Sequence, residues 1–260
     1  MIKLIVTDMD GTLLDSEHNI NPEFWTVYNE IKRKGIKFCV ASGRQYFNLI
    51  ENFKDIKNEI FYIAENGAYT AFGNESLNFK EINREYVNEF ISISKKIDGV
   101  GIVLCGKNSA YINDTRPEFI AEVKKYYHKY EIVRDLEKVE DIILKIAIYD
   151  FVSSEKNSYP HYEKFEDKFK IVISSQYWLD IMDLDANKGL ALKEIQKKLN
   201  IKKSETLAFG DYMNDYEMLQ EAEYSYAMAE AHPELKKIAK FIAPSNNDNG
   251  VVSIIKEYLK

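Results

Sequence analysis

The sequence predicts an α/β fold: a doubly wound, Rossmann-like parallel sheet split by an inserted α+β domain. Three observations point to it. From the N-terminus, apolar β-rich runs alternate with segments of helical period. That rhythm stops after a turn at Gly73-Asn74, where paired strands take over, and it resumes at Asn187. Strand–helix alternation marks parallel strands joined by right-handed crossovers, whereas strands paired across turn signals build antiparallel sheets. The expected division is a core of residues 1–82 and 184–260 and an inserted domain of residues 83–183.

The first run, Leu4-Ile5-Val6-Thr7-Asp8-Met9-Asp10-Gly11-Thr12, is apolar until it ends in two aspartates, so it reads as a buried strand with a charged C-terminal tip. A helix is expected over Pro22 to Lys34, with Phe24, Val27, Tyr28 and Ile31 on one face, Asn21 as its cap and Gly35 as its stop. The run Ile36 to Val40 is a second strand and leads into Ala41-Ser42-Gly43-Arg44. After another helix, Ile60 to Ala64 forms a third strand ending in Glu65-Asn66-Gly67, and Gly73-Asn74 turns a hairpin between two short strands. The insert reads as a helix, two strands, a helix, a long apolar strand at Ile142 to Tyr149, a helix and two more strands, with an antiparallel sheet. A helix over Asn187 to Asn200, a strand at Thr206 to Phe209 and further αβ units complete the core, with His232-Pro233 as a helix start.

With 260 residues and 45% hydrophobic content, the chain can bury a sizeable core. Its net charge of −7 argues against a general nucleic-acid binder. No apolar run approaches membrane-spanning length, and the start Met-Ile-Lys-Leu-Ile-Val lacks the features of a signal peptide. Cys39 and Cys105 lack metal-ligand spacing and fit a reducing compartment. The expectation is a cytoplasmic protein without a membrane, nucleic-acid or obligate protein partner. The four histidines show no ligand or triad pattern and read as surface or core residues.

Open α/β sheets bind ligands at the C-terminal edge of their strands. Asp8 and Asp10 lie there and suit a metal and nucleophilic chemistry, although Asp-Gly is also ordinary turn chemistry. Three further clusters fall where a parallel sheet would bring them alongside. Ser42-Gly43 offers a hydroxyl and backbone N–H groups suited to a phosphate, and Ser42 equally suits a helix cap. Lys188 opens a helix, where a cation is misplaced for dipole reasons unless an anion faces it; a solvated surface lysine is the alternative. Gly210-Asp211-Tyr212-Met213-Asn214-Asp215 again ends a strand in acid, with helix capping as the plain reading. If Asp8, Asp10, Asp211 and Asp215 converge, Lys188 offsets only one of their charges. Like charges ~4 Å apart repel by about 4 kcal/mol at an effective dielectric of 20. Such a site would repel a phosphate monoester without a divalent cation, and hard oxygen ligands point to Mg²⁺.

These four clusters, in this order, resemble the motifs of the haloacid dehalogenase-like (HAD) phosphohydrolases. Asp8-Met9-Asp10-Gly11-Thr12 matches the first, Ser42 the second, Lys188 the third, and Gly210 to Asp215 the fourth. The middle insertion, Ala41-Ser42-Gly43-Arg44 and Glu65-Asn66-Gly67-Ala68 are similar to the Cof-type subgroup, subclass IIB, whose insert is a cap domain that sets specificity. The resemblance implies Asp8 as nucleophile and Asp10 as acid and base. It implies Mg²⁺ held by the Asp8 and Asp211 carboxylates and the Asp10 carbonyl, and a phosphoryl group held by Ser42, Gly43, Lys188 and Asn214. Thr12 and Asp215 would support these groups from behind. It further implies a small phosphorylated metabolite as substrate, with Asn113, Arg116, Tyr177 and Asp180 as candidate contacts from the cap. An acid at Asp10, where the related P-type ATPases carry Thr, favours hydrolysis or a phosphomutase reaction. The motifs are shared by phosphatases and phosphomutases, and a non-catalytic protein that binds a phosphorylated metabolite is a third reading.

Overall fold

A computed structural model describes all 260 residues, Met1–Lys260. The first third contains β1 (Leu4–Asp8), α1 (Glu23–Arg33), β2 (Lys37–Ala41), α2 (Tyr46–Asn52), β3 (Phe61–Ala64), β4 (Tyr69–Phe72) and β5 (Glu75–Phe79). The middle contains α3 (Arg84–Ser94), β6 (Val100–Gly106), β7 (Ala110–Ile112), α4 (Pro117–Tyr126), β8 (Tyr130–Ile132), β9 (Ile143–Asp150), α5 (Tyr159–Tyr162), β10 (Phe169–Ile173) and β11 (Trp178–Asp183). The last third contains α6 (Lys188–Leu199), β12 (Thr206–Gly210), α7 (Tyr216–Gln220), β13 (Tyr224–Ala227), α8 (Pro233–Ile238), β14 (Phe241–Ile242) and α9 (Gly250–Leu259). No helix is long and apolar enough to cross a membrane.

The chain forms two compact units. The first comprises Met1–Gly43, Phe53–Leu77 and Asn187–Lys260. Its eight-stranded sheet has the order β14-β13-β12-β1-β2-β3-β4-β5. The strands from β14 to β3 are parallel, and β4 turns back antiparallel on β3. Helices cover both faces of a parallel sheet, so its strands are apolar throughout rather than alternating; every residue of β1 and of β12 is accordingly buried. The α1 boundaries follow local chemistry: the Asn21 side chain accepts the Glu23 N–H at 2.9 Å, and Gly35 at φ +71° ends the helix.

Strand order places the site. The chain enters the sheet at β1, runs outward through β2 and β3, and later returns to the other side of β1 through β12 and β13. The order therefore reverses between β1 and β12, the topological switch point where open α/β sheets leave a crevice. The registers pair Asp8 with Ala41 and Thr7 with Phe209. Ser42 and Asp211 consequently each lie one residue beyond the end of a neighbouring strand, alongside Asp8.

The second unit comprises Arg44–Asn52 and Asn78–Ala186. Its six-stranded sheet, β10-β11-β9-β6-β7-β8, is antiparallel except for β7 and β8, which are parallel. Alternate residues face opposite ways: Ile102 and Leu104 join α3 residues Val87, Phe90 and Ile91, whereas Val103 and Cys105 join Phe119 and Val123 of α4. Two features depart from the sequence expectation. Strand β8 is absent from it, because three partly exposed residues carry no readable period; α4 provides the crossover that makes its pairing parallel. Helix α2, expected within residues 1–82, groups with the second unit through hydrogen bonds of Gln45 to Lys129 and of Asn48 to the Tyr126 carbonyl and the His128 N–H.

Candidate active site

Asp8 ends β1 and is 5% exposed. The chain then turns sharply through Gly11, whose φ of +74° lies in the left-handed region. A Cβ on Gly11 would stand 2.3 Å from Asp211 Oδ2, so only glycine lets the turn approach the loop after β12. The next residue, Thr12, donates its hydroxyl to Asp211 Oδ1 at 3.1 Å and fixes that carboxylate.

Lys188 is the first residue of α6, whose N-terminus is set by Asn187: its side chain accepts the Leu190 N–H at 2.7 Å. Lys188 is 0% exposed and donates from Nζ to Asp8 Oδ1 at 2.5 Å and to Asp215 Oδ1 at 2.7 Å. It is thus not a solvated surface lysine; the anions its helix position called for are these two carboxylates. Asp215 is fully buried, and its Oδ2 accepts the backbone N–H groups of Asp211 at 3.0 Å and Tyr212 at 3.3 Å.

The electrostatics follow from this crowding. Burial opposes the charge on Lys188, but Asp215 and Asp8 outweigh it and hold the ammonium above its usual value. Burial pushes the Asp8 carboxyl up; Lys188 pulls it down, and Asp215 and Asp211 add to the rise. Burial and then Asp215 push Asp211 up to about 6, against the Thr12 hydroxyl and Lys188. Carboxylates that resist ionisation together are relieved by a divalent cation. Oxygens of Asp8, Asp211 and Asp215 lie within 4.8 Å of one another. Both Asp215 oxygens are engaged by Lys188 and backbone N–H groups, which leaves Asp8 and Asp211 to face an ion. This hard-oxygen donor set fits Mg²⁺.

The remaining residues form a second group. Ser42 is 1% exposed, with its N–H donating to the Ile63 carbonyl at 2.8 Å. Asn214 donates from Nδ2 to Asn66 Oδ1 at 3.0 Å, and Gly43 lies beside the same Asn66 amide. The side chain of Asp10 is 43% exposed, with its Oδ1 3.4 Å from His18 Nδ1. His18 is an exposed surface residue, in line with the sequence expectation of surface or core histidines. It sits at φ +62° in a turn closed by a bridge between Leu14 and Ile20, a fold-back that no sequence period announces. In the second unit, the Arg116 guanidinium is committed to Asp114, to the Val100 carbonyl and to the face of Phe151. Asp180 accepts from Ser174 at 2.6 Å, while Asn113 and Tyr177 are exposed.

This arrangement supplies a buried carboxylate held by a lysine, an acidic pair suited to a metal and a second acid open to a ligand. A sequence profile of the haloacid dehalogenase-like hydrolases matches residues 5–255. The chain belongs to this family. It is 36% identical over 265 residues to the 5-amino-6-(5-phospho-D-ribitylamino)uracil phosphatase YbjI of Escherichia coli (strain K12), covering 100% of this chain and 97% of the relative. It is 26% identical over 286 residues to the phosphatase YwpJ of Bacillus subtilis (strain 168), covering 99% of this chain and 100% of that one. The solved structure of the HAD subclass IIB sugar phosphatase BT4131 shares the fold, with a TM-score of 0.80 at 23% identity over 98% of each chain. Within the haloacid dehalogenase-like hydrolases, the protein is a phosphatase.

Proposed function

We propose that this hydrolase is a Mg²⁺-dependent phosphatase that removes phosphate from a small metabolite through a phosphorylated Asp8. Asp8 Oδ2 attacks phosphorus in line; the P–O bond to the leaving alcohol breaks, and Asp10 gives the departing oxygen its proton. Asp10 then takes a proton from water, which attacks the acyl phosphate, releasing inorganic phosphate and regenerating Asp8. Lys188 neutralises Asp8 and the phosphoryl oxygens throughout, while Ser42, the Gly43 N–H and Asn214 hold those oxygens. Asp8, Asp211 and the Asp10 carbonyl would hold Mg²⁺, which when bound neutralises phosphate charge at this acidic edge. Thr12 orients Asp211, and Asp215 orients Lys188.

The observation that carries this reading is the buried Lys188 bridging Asp8 and Asp215 beside the crowded Asp211. A lysine so placed opposes the rise that burial and the neighbouring acids impose on Asp8 and so favours its ionised, nucleophilic form. We assign specificity to the second unit as a cap, with Asn113, Tyr177 and Asp180 as its contacts. The buried thiols of Cys39 and Cys105, neither of them in a disulfide, support a reducing, cytoplasmic setting. The named substrate of the 36% identical relative makes phosphoribityl compounds the first candidates, followed by sugar phosphates.

The test is phosphate release from p-nitrophenyl phosphate and from such a panel, with Mg²⁺ and with EDTA. Release requires the metal and disappears in Asp8→Asn. Activity that survives both changes would refute the mechanism.

A further inference from the structure

Strand β3 runs into Glu65-Asn66-Gly67, a segment to which the mechanism above gives no task. Its backbone is strained: Glu65 and Asn66 follow each other at φ +48° and +55°. Non-glycine residues held in the left-handed region are strained and persist only where the surroundings enforce them. The local return is small. A hydrogen bond between two partly exposed amides adds little net stability. Stability therefore does not account for this conformation.

Its contacts do. The Asn66 N–H donates to the Ser42 carbonyl at 3.0 Å. The Asn66 Oδ1 accepts from Asn214 Nδ2 at 3.0 Å. Where a Cβ would stand on Gly43, Asn66 Oδ1 is 3.0 Å and Nδ2 3.2 Å away. Gly67 comes so near Asn187 that a Cβ there would lie 2.3 Å from the Asn187 carbonyl oxygen, one residue before Lys188. One three-residue segment thus touches the loops that carry Ser42 and Gly43, Lys188, and Asn214. The Asn66 side-chain acceptor is spent on Asn214. An amide has two N–H donors, so occupying one of them with Asn66 fixes the plane of the Asn214 amide and the direction of the other.

We propose that Asn66 is a positioning residue: its side-chain carbonyl holds the Asn214 amide so that the second Asn214 N–H faces the phosphoryl oxygens. The left-handed backbone at Asn66 is what aims that carbonyl. This inference rests on the phosphatase reading.

The test is a pair of substitutions and a cycle, read as kcat and KM for p-nitrophenyl phosphate with saturating Mg²⁺ and as inhibition by inorganic phosphate. Asn66→Gly relieves the backbone and removes the acceptor; Asn66→Ala removes the acceptor and keeps the strain. Both lower kcat/KM by about tenfold to a hundredfold, the scale of a misplaced catalytic contact. Both weaken phosphate inhibition in parallel, while only Asn66→Ala lowers the melting temperature. Combined with Asn214→Ala, Asn66→Gly has no further effect. Unchanged kcat/KM in Asn66→Gly, or effects that multiply in the double variant, would overturn the inference while leaving the phosphatase reading intact. A wild-type enzyme that releases no phosphate from any ester overturns both.

Discussion

At the scale of the residue, Lys188 is the centre of the site. Two carboxylates and an ammonium out of water are stable only together, and removing one partner of a buried pair typically costs about 3–5 kcal/mol. Lys188→Met therefore destabilises the protein by that amount in urea titrations and abolishes phosphate release. Asp211 makes a pH-dependent prediction. Its carboxyl is pushed up to about 6 from the usual aspartate range, so the folded protein holds this proton more tightly than the unfolded chain. The stability it contributes is complete below the unfolded value and is lost as pH rises through about 6. In the proposed reaction Mg²⁺ would bind the ionised form and counter that loss. Added Mg²⁺ accordingly raises the melting temperature well above pH 6 and has little effect near pH 5, and Asp211→Asn lacks the increment; scanning fluorimetry across pH with and without the ion reads both. Both roles were partly legible. A lysine at a helix start is a misplaced charge that asks for an anion, but nothing in Asn187-Lys188-Gly189 says that the anions are Asp8 and Asp215.

At the scale of the element, the site is a set of loops held in step by strand registers and by close backbone approaches. The turn after β1 shows why Gly11 follows Asp10. With φ at +74° and Asp211 Oδ2 2.3 Å from any Cβ, Gly11→Ala must move the loop after β12 or the turn itself. The expected result is a loss of about 1–3 kcal/mol in stability, and a weakened apparent Mg²⁺ affinity, measured by activity against metal concentration. The long apolar strands and amphipathic helices were read correctly because burial on both faces, or on one stripe, leaves a pattern over many residues. Strand β8 and the His18 turn were not. Both are short, and their conformation is decided by what they pack against rather than by their own side chains.

At the scale of the whole molecule, the chain makes two units with separate cores. In the second, the Phe90 ring lies 5.0 Å from Phe165, 5.2 Å from Phe169 and 5.8 Å from Tyr162, centroid to centroid. Phe90→Ala removes the centre of that cluster and costs about 3–5 kcal/mol. Because none of the Asp8, Lys188 and Asp211 contacts belongs to that core, Mg²⁺ affinity stays unchanged at a temperature where the variant is folded; isothermal titration beside a thermal melt separates the two effects. Helix α2 carries the same lesson about boundaries. Sequence order counts it with the strands on either side, whereas Gln45 and Asn48 bond it to Lys129, Tyr126 and His128.

What the sequence by itself determined is the fold class and the chemistry on offer. Burial periodicity is written in the order of apolar residues, and the acids, the hydroxyl and the lysine each stand at a strand tip or helix start that local rules can locate. What only the tertiary structure decided is which of these groups meet. Lys188 reaches Asp8 across 180 positions, Thr12 reaches Asp211 across 199, and Asn66 reaches Asn214 across 148. Contacts at such separations depend on sheet order and register, which are properties of how strands pair and not of any one segment. The contrast between Asp215, engaged at both oxygens by Lys188 and backbone donors, and Asp211, held by the Thr12 hydroxyl, follows from that pairing alone.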